Sequence, residues 1–266
     1  MSEICIYIFG NNVYLHQTYH SLTLKEMKKS FLTILAIVAM VGAVCSCKKD
    51  KPTPTPGPDT PDETTLITID GDFADWTKAA NVVTAELDEE ATSYLNLLTM
   101  KAVADEENIY LYFEYEIAED QTVAPIDILV NSDNNSATGF SSWIWTNVGW
   151  EYMLESEAGF LAGSSVQSMD DLAVYKCNGP DGVDAWDAES NGMTKLELTS
   201  FAENAGKVES GIAYFEMSIL RSAVNATKKG ALTLGVTMTN VVDGDWVTTG
   251  ILPTFGSEDM LEVALP

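Results

Sequence analysis

The densest chemistry in this chain of 266 residues lies between Phe140 and Tyr152. Phe140, Trp143, Trp145, Trp150 and Tyr152 all fall in that window, and three of the six tryptophans occupy eight consecutive positions. An indole or phenol ring offers a broad apolar face that matches the C–H face of a pyranose. Flanking Asn, Asp and Glu side chains can then hydrogen-bond the sugar hydroxyls. Trp143 and Trp145 are two residues apart, so an extended backbone would set them on one face. Trp246, beside the Asp243-Gly244 turn, is the expected second platform. The alternative for the whole cluster is that its rings fill a core, which is also the expected place of Trp76.

Other chemistry is sparse. Both histidines, His16 and His20, precede residue 27, and none follows. A folded part beginning later therefore lacks Ser-His-Asp or Cys-His catalysis, His-ligated zinc and imidazole proton transfer. Carboxylates such as Glu114, Glu116, Glu151, Glu155 and Glu216 are plentiful, but glycoside hydrolysis needs a facing pair about 5–10 Å apart. No spacing marks such a pair, and a non-catalytic protein is expected. Asp127, Asp133 and Asn135 offer oxygen ligands of the kind Ca²⁺ takes, without the full spacing of a calcium loop. The same residues make turns by bonding their own backbone. No cofactor is expected, with Ca²⁺ as the alternative. Cys177, in a turn-like context, reads as an incidental small residue. The chain carries 40 acidic and 14 basic residues, a net charge of −26. A field of that sign repels polyanions and excludes nucleic acid as a partner.

The elements that position these residues begin with an export signal. Lys28 and Lys29 precede an apolar run from Phe31 to Val44, and Cys45, Ser46 and Cys47 close it. A charged start, a short apolar segment and small residues at its end make a secretory signal. The run is shorter than the roughly 20 residues needed to span a bilayer. Val44-Cys45-Ser46-Cys47 resembles the lipobox of bacterial lipoproteins, which implies lipid modification at Cys47. We therefore read residues 1–26 as an extension outside the fold, 27–46 as the signal peptide, and 47–63 as a proline-rich tether. Where such a tether is polyproline II it extends about 3 Å per residue. Residues 64–266 remain for one folded domain. The expected location is the outer membrane of a Bacteroidota-type cell, held by the lipid alone. Lys48-Lys49-Asp50-Lys51 leaves periplasmic and surface orientations both open.

Within 64–266 the pattern is strand after strand. Ile109, Leu111, Phe113 and Tyr115 alternate with Tyr110, Tyr112 and Glu114, and Leu232, Leu234, Val236 and Met238 alternate with Thr233, Gly235 and Thr237. That period of two marks half-buried strands. Further strands are expected at 66–69, 80–87, 95–104, 126–131, 149–155, 171–176, 194–199, 211–217 and 259–265, with one short helix at 218–224. Polar turns at 105–108, 132–135, 178–182 and 243–244 separate them. Many short strands without β-α alternation predict an all-β fold: an antiparallel two-sheet sandwich of jelly-roll or immunoglobulin-like type.

Five blocks in order carry a resemblance. Ile69-Asp70-Gly71-Asp72-Phe73-Ala74-Asp75-Trp76 resembles the opening of family-9 carbohydrate-binding modules and related DOMON-like sandwiches. Glu107-Asn108-Ile109-Tyr110-Leu111-Tyr112-Phe113 resembles their central strand. The stretch from Ile126 to Asn135, followed by Thr138-Gly139-Phe140, is similar to their next block. Tyr214-Phe215-Glu216-Met217-Ser218-Ile219 and the stretch from Leu234 to Asn240 resemble the last two. The founding modules clamp a sugar between two tryptophans, and the corresponding stretches here, 122–125 and 253–256, contain none. The resemblance implies the sandwich fold but, without those tryptophans, not the ligand, so sugar binding rests on the Trp143 cluster. With the export signal, the expectation is a lipid-anchored, non-catalytic module that binds a glycan. The alternative is a structural or adhesive envelope protein that uses the same sandwich to contact other proteins.

Overall fold

The computed structural model describes residues 3–9, 12–18, 67–117, 123–159, 172–185, 192–242 and 245–266. The signal segment and tether, with Cys47, lie outside the described residues. The chain divides into two units, Met1–Thr55 and Pro56–Pro266. In the first, β1 (Glu3–Phe9) pairs antiparallel with β2 (Asn12–Thr18), Phe9 opposite Asn12.

The second unit is a two-sheet antiparallel sandwich. Its strands are β3 (Val83–Glu86), β4 (Leu97–Ala104), β5 (Asn108–Glu116), β6 (Val123–Asn131), β7 (Tyr152–Gly159), β8 (Ala173–Cys177), β9 (Met193–Lys195), β10 (Ala202–Glu209), β11 (Ile212–Leu220), β12 (Gly230–Val242), β13 (Asp245–Leu252) and β14 (Leu261–Leu265). One sheet runs β10-β11-β5-β4-β3; the other runs β13-β12-β6-β7-β8-β9, with β14 also on β12. The alternating residues meet as expected. Ile109, Leu111, Phe113 and Tyr115 of β5 share the core with Ile128 and Val130 of β6 and with Leu232, Leu234, Val236 and Met238 of β12.

Four expectations differ from the structure. Of the strand expected at 66–69, the described residues 67–69 are not strand: from Ile67 the chain runs as an irregular cover, with Ile67 and Trp76 packed on Tyr110 and Tyr112, which β5 turns away from the core. The expected helix at 218–224 is only a 3₁₀ turn, Arg221–Val224, because Ser218 to Leu220 stay in β11, paired to Tyr110, Ile109 and Asn108. Strands β10 and β13 were not expected. β10 has few apolar residues and sits at a sheet edge, held by β11 through a tight turn with Ser210 at φ +54° and Gly211 at φ +83°. Two successive positive φ values match the right-handed twist of a hairpin, so turn geometry rather than hydrophobic burial defines this strand.

Candidate functional site

The site lies on the outer face of the β6–β7–β12 sheet, away from the main core. Successive side chains alternate across a strand, so Ile128 and Val130 face the core while Asp127 and Leu129 face outward. The connection between β6 and β7 folds back over this outer face. Phe140 and Trp150 exchange two backbone hydrogen bonds of 2.9 Å. A Cβ at Gly149 would stand 1.7 Å from the Thr138 carbonyl oxygen, so only glycine permits that closure. The excursion builds a second, smaller core of Phe140, Ile144, Trp145, Val148 and Trp150 on Leu129 and Met153.

The cluster is thereby split. Trp145 is 0 % exposed; its ring lies over Gly235, where a Cβ would come within 2.5 Å, and its Nε1 donates to the Pro253 carbonyl at 3.1 Å. Trp150 is buried edge-on to Phe140, and its Nε1 donates to the Ser141 carbonyl at 3.0 Å. Tyr152 belongs to the main core. Trp143 is 53 % exposed. The expectation that Trp143 and Trp145 share one face does not hold, because the segment is not extended. Ser142 Oγ accepts the N–H groups of Ile144 at 3.1 Å and Trp145 at 3.4 Å, a side-chain-capped turn that rotates successive residues apart. Trp246 lies in β13 opposite Val241, two residues before Thr248; its side chain lies outside the described residues.

Trp143 does not stand alone. Its ring centroid is 5.8 Å from Phe255 and 6.3 Å from Tyr94, and Tyr94 is 5.1 Å from Phe255. Phe255 is 45 % exposed, and Leu95 beside Tyr94 is also exposed. Tyr94 holds φ +59°, a left-handed conformation that costs about 1–3 kcal/mol in a bulky residue and is kept where the surroundings enforce it. Phe255 falls in the stretch 253–256 noted for lacking a tryptophan. Tyr94 carried no local signal, since only the tertiary fold brings its loop to the other two.

Beside this patch is a cleft of about 210 Å³. Trp143 forms one wall, Leu129 and Met153 lie in its floor, and Asp127, Asp184, Thr237 and Thr248 supply polar groups. Asp127 stands opposite Thr237 on one side and Glu155 on the other. Burial, then the charge of Glu155, pushes the Asp127 carboxyl from 3.8 up to about 7, against the pull of the Thr237 hydroxyl. The folded state thus holds a proton that the unfolded chain releases, so stability falls as pH rises from about 4 to about 7. Asp127→Asn is expected to remove that fall, leaving the variant about 4 kcal/mol less pH-sensitive than the parent across the window. Urea melts at several pH values test this, and parallel curves for both proteins would refute it.

The oxygen ligands do not assemble. Asp133 is engaged in a turn, accepting the Asn135 N–H at 3.0 Å and the Thr138 hydroxyl at 3.1 Å, and Asn135 Oδ1 accepts the Ala137 N–H at 3.1 Å. Asp127 lies on β6 four residues before the strand ends at Asn131, roughly 13 Å away along the backbone. Among the described residues no group of three His, Cys, Asp or Glu is placed to hold a metal. Cys177 donates to the Trp150 carbonyl at 3.2 Å, and burial pushes its thiol up to about 12, so it is no nucleophile at neutral pH.

No protein-family model and no curated protein matches the sequence. Among solved structures, the chain is similar to a carbohydrate binding module of family 9 from Caldicellulosiruptor kristjanssonii in complex with cellotriose. The identity is 12 %, over 75 % of this chain and 89 % of that one, with a TM-score of 0.39. It is also similar to a structure of a family 9 module from the same organism in complex with glucose, at 13 % identity over 76 % and 92 % of the two chains, with a TM-score of 0.35.

Proposed function

We propose that this protein is a lipid-anchored, non-catalytic module of the outer membrane that holds a glycan at the Trp143 cleft. The observation that carries the reading is the half-exposed Trp143 ring, continued by Phe255 and Tyr94, beside a small cleft with carboxyl and hydroxyl groups. An apolar ring face next to hydrogen-bonding groups suits a sugar, which presents a C–H face and a hydroxyl rim. The non-catalytic part of the reading is supported by the sequence, where no histidine follows residue 20 and no spacing marks a facing carboxylate pair.

Affinity electrophoresis and a glycan array test the reading. Trp143→Ala and Phe255→Ala are each expected to weaken retention about 10- to 100-fold, or about 1.4–2.7 kcal/mol. Both rings are largely exposed, so melting temperature should hardly move. Binding of an envelope protein that no glycan competes with, together with an empty array, would instead support the adhesive reading. The anchor is tested separately: Cys47→Ser should abolish incorporation of a labelled fatty acid and move the protein from membrane to soluble fractions. Unchanged labelling would overturn the assignment of Cys47.

A further inference from the structure

The cleft is rich in acceptors and poor in cations. Asp127 and Asp184 line it, and Glu155 stands directly opposite Asp127. Like charges directly opposite in a sheet repel, and no lysine or arginine among the described residues stands beside Asp127 and Glu155. From residue 67 onward the chain has eight lysines and arginines, all among the described residues. Lys101 lies over the Tyr112 ring and Lys207 over the Phe73 ring, both on the other sheet. Arg221 is buried on backbone carbonyls. Lys78 is in the N-terminal cover, Lys228 and Lys229 precede β12, and Lys176 is opposite the core residue Tyr152. Lys195, opposite Tyr175, is three strands from Asp127, roughly 14 Å at ordinary strand spacing. The groups facing Asp127 and Glu155 are neutral donors: Thr237 bonds Asp127, and Tyr175 bonds Glu155.

We propose that the cleft takes a sugar with a free amino group, an N-deacetylated hexosamine, its ammonium received by Asp127 and its ring lying against Trp143. The proposal rests on the glycan reading above and narrows it. An ammonium brings three donors and no acceptor, the complement of this lining, and the exposed indole face attracts a cation as well as a sugar ring. N-acetylation would remove the charge. A uronic acid would meet three carboxylates. A bound ammonium also reverses what burial and Glu155 do to Asp127, so the carboxyl gives up its proton as the sugar binds.

The experiment is calorimetry of the folded protein with a glucosamine tetrasaccharide, its N-acetylated counterpart and cellotetraose. Each is titrated near pH 6, about one unit below the Asp127 value, in two buffers of different ionisation enthalpy. The glucosamine oligomer is expected to saturate, to bind about 10-fold or more tighter than the other two, and to release protons. Asp127→Asn should bring the three affinities together and abolish the proton release, while Trp143→Ala should weaken saturable binding about 10- to 100-fold. Equal or tighter binding of the uncharged oligomers overturns the amino-sugar proposal and leaves the glycan reading standing. Glucosamine binding of undiminished affinity in Trp143→Ala, as plain attraction to a chain of net charge −26 would give, overturns it too. A glycan array with no positive at all removes the reading on which it rests.

Discussion

Glu216→Ala is expected to cost about 3–5 kcal/mol of folding stability, or roughly 6–20 °C in melting temperature for a domain of this size. Glu216 is 0 % exposed, on the face of β11 turned away from the main core. Its Oε1 accepts the backbone N–H groups of Asp70 at 2.9 Å and Gly71 at 2.7 Å, and its Oε2 accepts the Trp76 indole N–H at 2.9 Å. One carboxylate thus fastens the cover segment to the five-stranded sheet. Burial pushes the carboxyl up despite those donors, so its desolvation is already costly and its partners are what make the position tolerable. Alanine strands three donors in a protected place, and each stranded donor costs about 1–3 kcal/mol. Glu216→Gln should cost about half as much: it keeps the volume and one acceptor but turns an NH₂ toward a donor. Urea denaturation measures both. A loss below about 1 kcal/mol for alanine would show that the cover is held by Ile67 and Trp76 packing alone.

Arg221→Met is expected to be nearly as damaging, at about 3–4 kcal/mol, although it fills a buried site with an apolar side chain of similar length. Replacing a buried ion pair in that way is often harmless, because both charges go together. Here the partners are carbonyls that remain. Arg221 is 2 % exposed; its Nε donates to the Ala226 oxygen at 2.7 Å, and its terminal nitrogens donate to Asp105 at 2.7 Å and Lys228 at 2.8 Å. The fork joins the β4–β5 turn to the segment leading into β12. Arg221→Lys should fall short of rescue, since one ammonium cannot span three divergent acceptors as a planar guanidinium does. Hydrogen exchange should show Ala226 and the start of β12 losing protection first. Full stability in Arg221→Met would mean that these carbonyls find water once the guanidinium is gone.

Glu216 also joins two distant sequence blocks. The Asp70-Gly71-Asp72 turn with Trp76, and the strand carrying Glu216, are two halves of one hydrogen-bonded junction. What reads as a pair of motifs is a structural clasp on the side of the sandwich away from the Trp143 cleft, and neither half needs a ligand to account for it.

The alternating apolar residues of β5 and β12 determined the architecture by themselves, because a period of two can bury one face only in a sheet. The acidic balance and the absence of histidine after residue 20 limited the chemistry before any coordinate was needed. Strand β10 escaped notice because an edge strand defined by its turn has no burial pattern to read. The site was half legible. The tryptophans announced an aromatic cluster, but composition cannot say which ring faces water. That choice was made by one Ser142 hydroxyl turning the backbone, by Gly235 leaving room for the Trp145 ring, and by the loops that carry Tyr94 and Phe255. Those contacts join residues up to 161 positions apart, from Tyr94 to Phe255. Packing between such distant segments is settled only when the chain is folded, so the tertiary structure alone turned a row of tryptophans into two buried plugs and one exposed platform.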